Sequence, residues 1–324
     1  MKTERTPGNH TRRLLDIKDG EQDMKMKSRR MAAVVCLILA LLLSGCGSGE
    51  METALTGLDE YYAGVPVETG EYLRALVWAC RGTGFDGWQE DCVEKVCARL
   101  DECGGVLSNT RSTDYSAVIL TLTAAGADAR SVNGLDLTQA LFDTEFVTRQ
   151  GLNGSVFALL ALDSGGYPAP EGLREALLDE ILSRQLADGG FALSGEQADP
   201  DMTAMALQAL AGYSDEPAAA SAIGRALEAL SRIQEKDGAY ASFGAVNAES
   251  CAQAVLALGA LGVPQDDPRF VKNGASALDA LLRFRLEDGS FSHEMDGKSS
   301  PLATAQAYAA LCAADGGKLF VPGK

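Results

Sequence analysis

Asp188-Gly189-Gly190-Phe191, Asp237-Gly238-Ala239-Tyr240 and Asp288-Gly289-Ser290-Phe291 are three copies of one phrase, spaced 49 and 51 residues apart. A period of that length marks a repeat architecture, in which each unit buries its apolar face against its neighbours. Every copy follows an apolar helical stretch, and about ten residues later a second such stretch begins, at Asp201, Glu249 and Leu302. The unit is therefore a helical hairpin. Outward from these copies, apolar patterning predicts helices near 71–81, 88–102, 114–125, 136–150, 153–163, 171–186, 201–213, 217–234, 249–261, 268–286 and 302–313. Alternating strand patterns are absent, and Ala and Leu fill the helical windows.

In register, Asp114, Asn153, Asp201, Glu249 and Leu302 share one position, and Ser116, Ser155, Thr203, Cys251 and Thr304 share another two residues on. Most of the first set are good N-cap types, and a small hydroxyl residue suits a crowded first turn. Five units are visible this way, with 71–81 and 88–102 as a more divergent sixth. The chain lacks a last outer helix after Ala313, and Glu52 to Tyr62 is the candidate to supply it from the N-terminal side.

Gln185-Leu-Ala-Asp-Gly-Gly-Phe and Gln234-Glu-Lys-Asp-Gly-Ala-Tyr, each before an Ala-rich helix, resemble the prenyltransferase and squalene-cyclase repeat of the α/α-toroid superfamily. The third copy departs, with Arg285 in the Gln place. The resemblance spans about residues 70 to 313 and implies an all-α fold, an α/α toroid of about five to six hairpins with inner and outer helix rings. It further implies that the inner helices begin together at the mouth of a central cavity. Relatives include terpene cyclases, protein prenyltransferase β-subunits, complement-like thioester domains and carriers of the intrinsic-factor type.

Asp199-Pro200-Asp201-Met202-Thr203-Ala204 is similar to the Asp-x-Asp-Asp-Thr-Ala acid motif of the cyclases, whose central Asp, here Asp201, protonates an alkene. Met202 replaces the last Asp of that motif. Keeping such an acid protonated takes a tuned set of neighbours, and a carbocation needs π-faces around it. Only 6% of the chain is aromatic. Asp201 reads instead as a helix N-cap after a Pro-containing loop. The prenyltransferase zinc site has its near match in Glu249-Ser250-Cys251, but Thr304 fills the His place, and His293 would have to swing in. Ser194-Gly195-Glu196-Gln197 echoes the thioester motif without its cysteine. Neither a metal nor a cofactor is expected.

The carriers offer another parallel: Asn247 to Gln253 and Ala303 to Gln306 look like their Ser/Thr-Ala-Gln helix starts. In those carriers a small C-terminal β-domain completes the site. Residues 317–324 hold no such domain, so cobalamin is not the expected ligand.

At the other end, Lys25, Lys27, Arg29 and Arg30 precede a 13-residue apolar run, Met31 to Leu43, and then Leu43-Ser44-Gly45-Cys46. The run is shorter than the roughly 20 residues that span a bilayer. Its basic start and small-residue end match a cleaved signal. The end resembles the bacterial lipobox, which makes Cys46 the expected lipidated residue and Met24 or Met26 the expected start. Removing residues 1–45 leaves 19 of the 28 Lys and Arg and 40 of the 45 Asp and Glu, a net charge near −21. So acidic a surface excludes nucleic acid and anionic headgroups as partners. The membrane contact is the lipid itself.

The expected organisation is signal and extension over 1–45, tether and closing segment over 46–69, toroid over 70–316 and tail over 317–324. In an oxidising compartment Cys80 can cross-link one of Cys92, Cys97 or Cys103, with packed free thiols as the alternative. The functional expectation is an extracytoplasmic, lipid-anchored binding protein without chemistry, for a small molecule or a partner protein. A prenyltransferase-like or cyclase-like enzyme and a purely structural surface lipoprotein are the alternatives. Any ligand is expected at the mouth, near Asp114, Asn153, Asp201, Glu249 and Thr304, with Tyr167, Phe191, Tyr240 and Phe291 close by.

Overall fold

Inside each repeated phrase the aspartate folds the chain back on itself. Asp188, Asp237 and Asp288 accept, through Oδ1, the backbone N–H two residues on, at 3.0, 3.3 and 3.0 Å. The glycine between stands at φ +91, +86 and +86°, which any side chain would resist. A Cβ at Gly238 would also lie 2.5 Å from the Ser276 carbonyl oxygen, and one at Gly289 would lie 2.7 Å from that of Gly57. The turns are thus where one hairpin presses on the next outer helix. Gln185 and Gln234 reinforce the contact: each Nε2 donates both to its own phrase glycine and across the gap, to Ala222 and Phe270 carbonyls. Arg285, the odd residue of the third copy, does the same work by donating to the Thr53 carbonyl at 3.2 Å.

The protein is seen here as a computed structural model that describes residues 49–320. Residues 53–320 belong to one compact unit, and of the other unit, Met1–Glu52, only the helical residues 49–52 are described. The expected signal and Cys46 lie outside the described residues. No helix among the described residues is long and apolar enough to cross a membrane.

The helices are α1 (residues 53–61), α2 (Tyr72–Arg81), α3 (Trp88–Glu102), α4 (Ser112–Ala124), α5 (Thr144–Thr148), α6 (Leu152–Ser164), α7 (Leu173–Ser183), α8 (Pro200–Leu210), α9 (Pro217–Ile233), α10 (Ala248–Ala260), α11 (Ala277–Leu282) and α12 (Pro301–Ala314). Helices α2, α4, α6, α8, α10 and α12 each pack on the next, and α12 returns to α2. That closed inner ring, with α3, α5, α7, α9 and α11 outside it, is an α/α toroid. The seam between the last and first inner helices is tied by α1. Asp59 accepts from the Tyr308 hydroxyl and pairs with Arg81 at 3.0 Å, and Tyr62 stacks on Tyr308 at 5.5 Å.

The small-residue register has a single structural role in the three phrase-bearing repeats. Thr203 Oγ1, Cys251 Sγ and Thr304 Oγ1 accept the backbone N–H of Phe191, Tyr240 and Phe291 at 2.9, 3.4 and 3.0 Å. All six residues are buried. Ser155 occupies the same register on α6, where no phrase precedes, and its buried hydroxyl has no partner.

Several expectations need correction. The 136–150 helix is broken into a 3-10 turn, Leu137–Leu141, and the short α5, because Asp136 and Asp143 each cap a separate start. Of 268–286 only α11 is helical. Ahead of it Asn273-Gly274 turns the chain at φ 49 and 86°, pairing Lys272 with Ala275, and Ser276 then caps α11. A two-stranded hairpin, Ala241–Ser242 with Ala245–Val246, appears where no strand is expected. The N-caps of α8, α10 and α12 are Asp199, Asn247 and Ser300, so Asp201 and Glu249 sit inside the first turn and not at the cap.

Candidate functional site at the mouth of the toroid

Because Asp199 and Asn247 already cap their helices, the carboxylates of Asp201 and Glu249 are left over for something else. Asp201 is mostly buried beside the Ser250 and Ser242 hydroxyls, with Asp199 and Glu249 near. Burial raises its carboxyl above the usual range, the two serine hydroxyls oppose that, and the neighbouring acids add to it. Ser242 and Ser250 are themselves bonded at 3.0 Å, and Asn247 Nδ2 holds Ser242 at 3.2 Å, so the polar wall behind Asp201 is fixed. Asp201 Oδ1 is buried with no hydrogen-bond partner. At the equivalent position on the neighbouring inner helix, Asn153 Oδ1 is buried and unpartnered too. Buried polar atoms are normally satisfied, so two orphaned acceptors on adjacent helix starts mark a place where something else donates.

Glu249, nearly buried, bonds His293 Nδ1 at 2.7 Å, and the imidazole remains more than half exposed on the loop before α12. Cys251 does not join them. It points at the Tyr240 N–H, and burial pushes its thiol up to about 12. Among the described residues no group of His, Cys, Asp and Glu is arranged to hold a metal ion.

Tyr72, the first residue of α2, meets Phe157 of α6 edge to face, with centroids 6.0 Å apart. These helices are not neighbours in the ring, since α4 lies between them. On the far side a chain of amides links three inner helices. Gln208 Nε2 donates to the Ala204 carbonyl at 3.2 Å and to Gln253 Oε1 at 2.8 Å, and Gln253 Nε2 donates to Gln306 Oε1 at 3.0 Å. The Ala204 carbonyl fixes which way the chain runs. Gln306, at the end of this chain, lines a cavity of about 310 Å³ between α12 and α2, together with Tyr72, Leu73, Leu302 and Ala305. That size is at the lower end of small-molecule sites. Around the mouth, the loops from phrase to inner helix carry exposed Leu193, Phe243 and Met295, and Leu302 is exposed on α12.

The expected site residues therefore separate. Asp201 and Glu249 lie near each other, and Asn153 holds the equivalent place at the start of the neighbouring α6. Asp114 stands on α4 but is paired with Arg111 at 2.8 Å. Thr304, Phe191, Tyr240 and Phe291 are core anchors, fully buried and not available to a ligand. Tyr167 is at the opposite end: its hydroxyl bonds Thr123, in the last turn of α4, at 2.8 Å. Gln306, Tyr72 and Asn247 were not expected at the site. The carrier-like helix starts Asn247 to Gln253 and Ala303 to Gln306 hinted at two of them.

The ring and its mouth define the class of fold, an α/α toroid, and solved structures agree. A type II terpene cyclase from Scytonema, MstE, superposes with a TM-score of 0.56 at 14% identity in its apo form, covering 83% of this chain and 98% of that one. Its complex with the substrate geranylgeranyl dihydroxybenzoate matches equally well. The unsaturated glucuronyl hydrolase of Bacillus sp. GL1, responsible for degradation of glycosaminoglycan, gives 0.52 at 13% identity, covering 85% of this chain and all of that one. At such identities the likeness is one of fold. No family model matches the sequence, and no curated protein matches it either.

Proposed function

We propose that this chain is a lipid-anchored, extracytoplasmic binding protein whose toroid mouth holds a small polar molecule, uncharged or cationic, without converting it. The observation that carries the reading is the pair of buried, unpartnered acceptors, Asp201 Oδ1 and Asn153 Oδ1, at equivalent starts of α8 and α6. A ligand with hydroxyl or ammonium donors satisfies them, whereas a phosphate or carboxylate would meet Asp201 and Glu249 with like charge. Gln306 Nε2 and the Tyr72 hydroxyl supply donors for the ligand's acceptors. Leu302 and the exposed loop tips give its apolar side somewhere to lie.

A prenyl-type reaction fits less well. The Gln208, Gln253 and Gln306 amides link three of the inner helices, and only 6% of the chain is aromatic, which leaves few π-faces for a carbocation. One observation favours a second reading, that of an enzyme: burial keeps Asp201 protonated further up the pH scale, as a proton donor requires. A thermal-shift screen of polyols, sugars and small amines tests the binding reading, since a ligand that binds only the folded chain raises its melting point. A stabilising hit lost in both Asp201→Asn and Asn153→Ala supports it. Stabilisation by anionic compounds alone would count against it. The anchor is tested separately: Cys46→Ser should lose labelled acyl chain and detergent-phase partitioning, and retention of both would remove that part.

A further inference from the structure

Cys80 and Cys312 come from the two ends of the toroid sequence and meet at its seam. Cys80 is the penultimate residue of α2 and is exposed, whereas Cys312 is buried in the last turns of α12. The chain leaving α12 turns back over them at Gly317. A Cβ on Gly317 would stand 2.5 Å from Cys312 Sγ and 3.1 Å from Cys80 Sγ, so both sulfurs crowd one point in space. Burial pushes the Cys312 thiol up to about 12, and contact with Cys80, which hydrogen-bonds to it, adds to that. All six cysteines among the described residues are free, Cys80 and its three hairpin neighbours included. Cys92 is buried in α3, and Cys103 donates to the Leu100 carbonyl at 3.6 Å.

We propose that Cys80 and Cys312 are a disulfide site, and that oxidation there clasps the first inner helix to the last and locks the ring shut. The Cys80 thiolate, the accessible one, attacks an external disulfide, either a small-molecule disulfide or an oxidoreductase. One sulfur of the reagent leaves as a thiol, and a mixed disulfide remains on Cys80. Cys312, once it loses its proton, attacks Cys80 Sγ and expels the second thiol. Two protein thiols thereby lose two protons and two electrons, and the reagent's disulfide is reduced to two thiols. The bond spans nearly the whole toroid sequence, so it removes much of the unfolded chain's freedom. It also ties together α2 and α12, the helices that wall the cavity beside Gln306.

Incubation of the folded full chain with oxidised glutathione, followed by alkylation, unreduced digestion and mass spectrometry, tests this. The expected product is a Cys80–Cys312 linked peptide, lighter by two hydrogens than the reduced pair. The melting temperature should rise by about 5–10 °C over the protein kept in reduced glutathione. Cys80→Ser should abolish both effects, and Cys92→Ser should abolish neither. Full alkylation of Cys80 and Cys312 after oxidation would overturn the assignment, as would linkage of Cys80 to Cys92, Cys97 or Cys103, or linkage that forms only in denaturant.

Discussion

Thr203 Oγ1 receives the backbone N–H of Phe191 at 2.9 Å, and the same relationship joins Thr304 to Phe291 and, through sulfur, Cys251 to Tyr240. An inner helix thereby fixes the aromatic that its own hairpin buries. Thr203→Val keeps the shape and deletes the acceptor, stranding a buried N–H at a cost of about 1–3 kcal/mol. Cys251→Thr should be tolerated, because it restores the commoner acceptor. Denaturant unfolding of the two variants checks the contrast, and equal losses would refute it.

Phe191 is fully buried, so Phe191→Ala should cost about 3–5 kcal/mol. Thermal unfolding measures it. A melting point that barely moved would contradict the anchor role.

Gly238 and Gly244 share a positive φ, 86 and 85°, but only Gly238 is hemmed in by carbonyl oxygens of Ala275 and Ser276. Gly244→Ala should cost about 1–2 kcal/mol from backbone strain alone, and Gly238→Ala distinctly more. Equal melting points for the two would mean that the hairpins do not press together at the phrase.

Much of this was legible beforehand. The Asp-Gly phrases announced their turns, since Asp bonds locally and Gly takes positive φ. The hydroxyl register was visible as well, but its purpose was not, because a contact between Thr203 and Phe191 depends on how the loop between them folds. The broken 268–286 segment carried its own signal in Asn273-Gly274, a strong tight-turn dipeptide that apolar patterning overrode. The same dipeptide, Asn133-Gly134, turns the chain ahead of the 3-10 helix in the other misread segment. Asp201 was misread as a cap, because Asp199 two residues earlier takes that role. Nothing local could join Cys80 to Cys312 or Gln208 to Gln253 and Gln306, since only ring closure and helix rotation bring them together.

Burial raises the Asp201 carboxyl above its ordinary value of 3.8, so its ionised form destabilises the fold. The penalty is present at neutral pH. It fades as pH falls through the folded pKa and is gone below the unfolded one. Asp201→Asn should therefore melt higher than the native chain at pH 7, with the gap closing toward pH 4. A variant that melts lower at pH 7 would mean that the carboxylate is satisfied in the fold and not held open for a ligand.

Titration calorimetry of the best screening hit into the native chain and into Asp201→Asn, with the mixture then analysed for product, tests the central claim most directly. The prediction is saturable one-to-one binding, weakened at least about tenfold in the variant, a loss of about 1.4 kcal/mol, with the ligand recovered intact. Equal affinity in the two proteins, or conversion of the ligand by the native chain and not by Asp201→Asn, would contradict the claim.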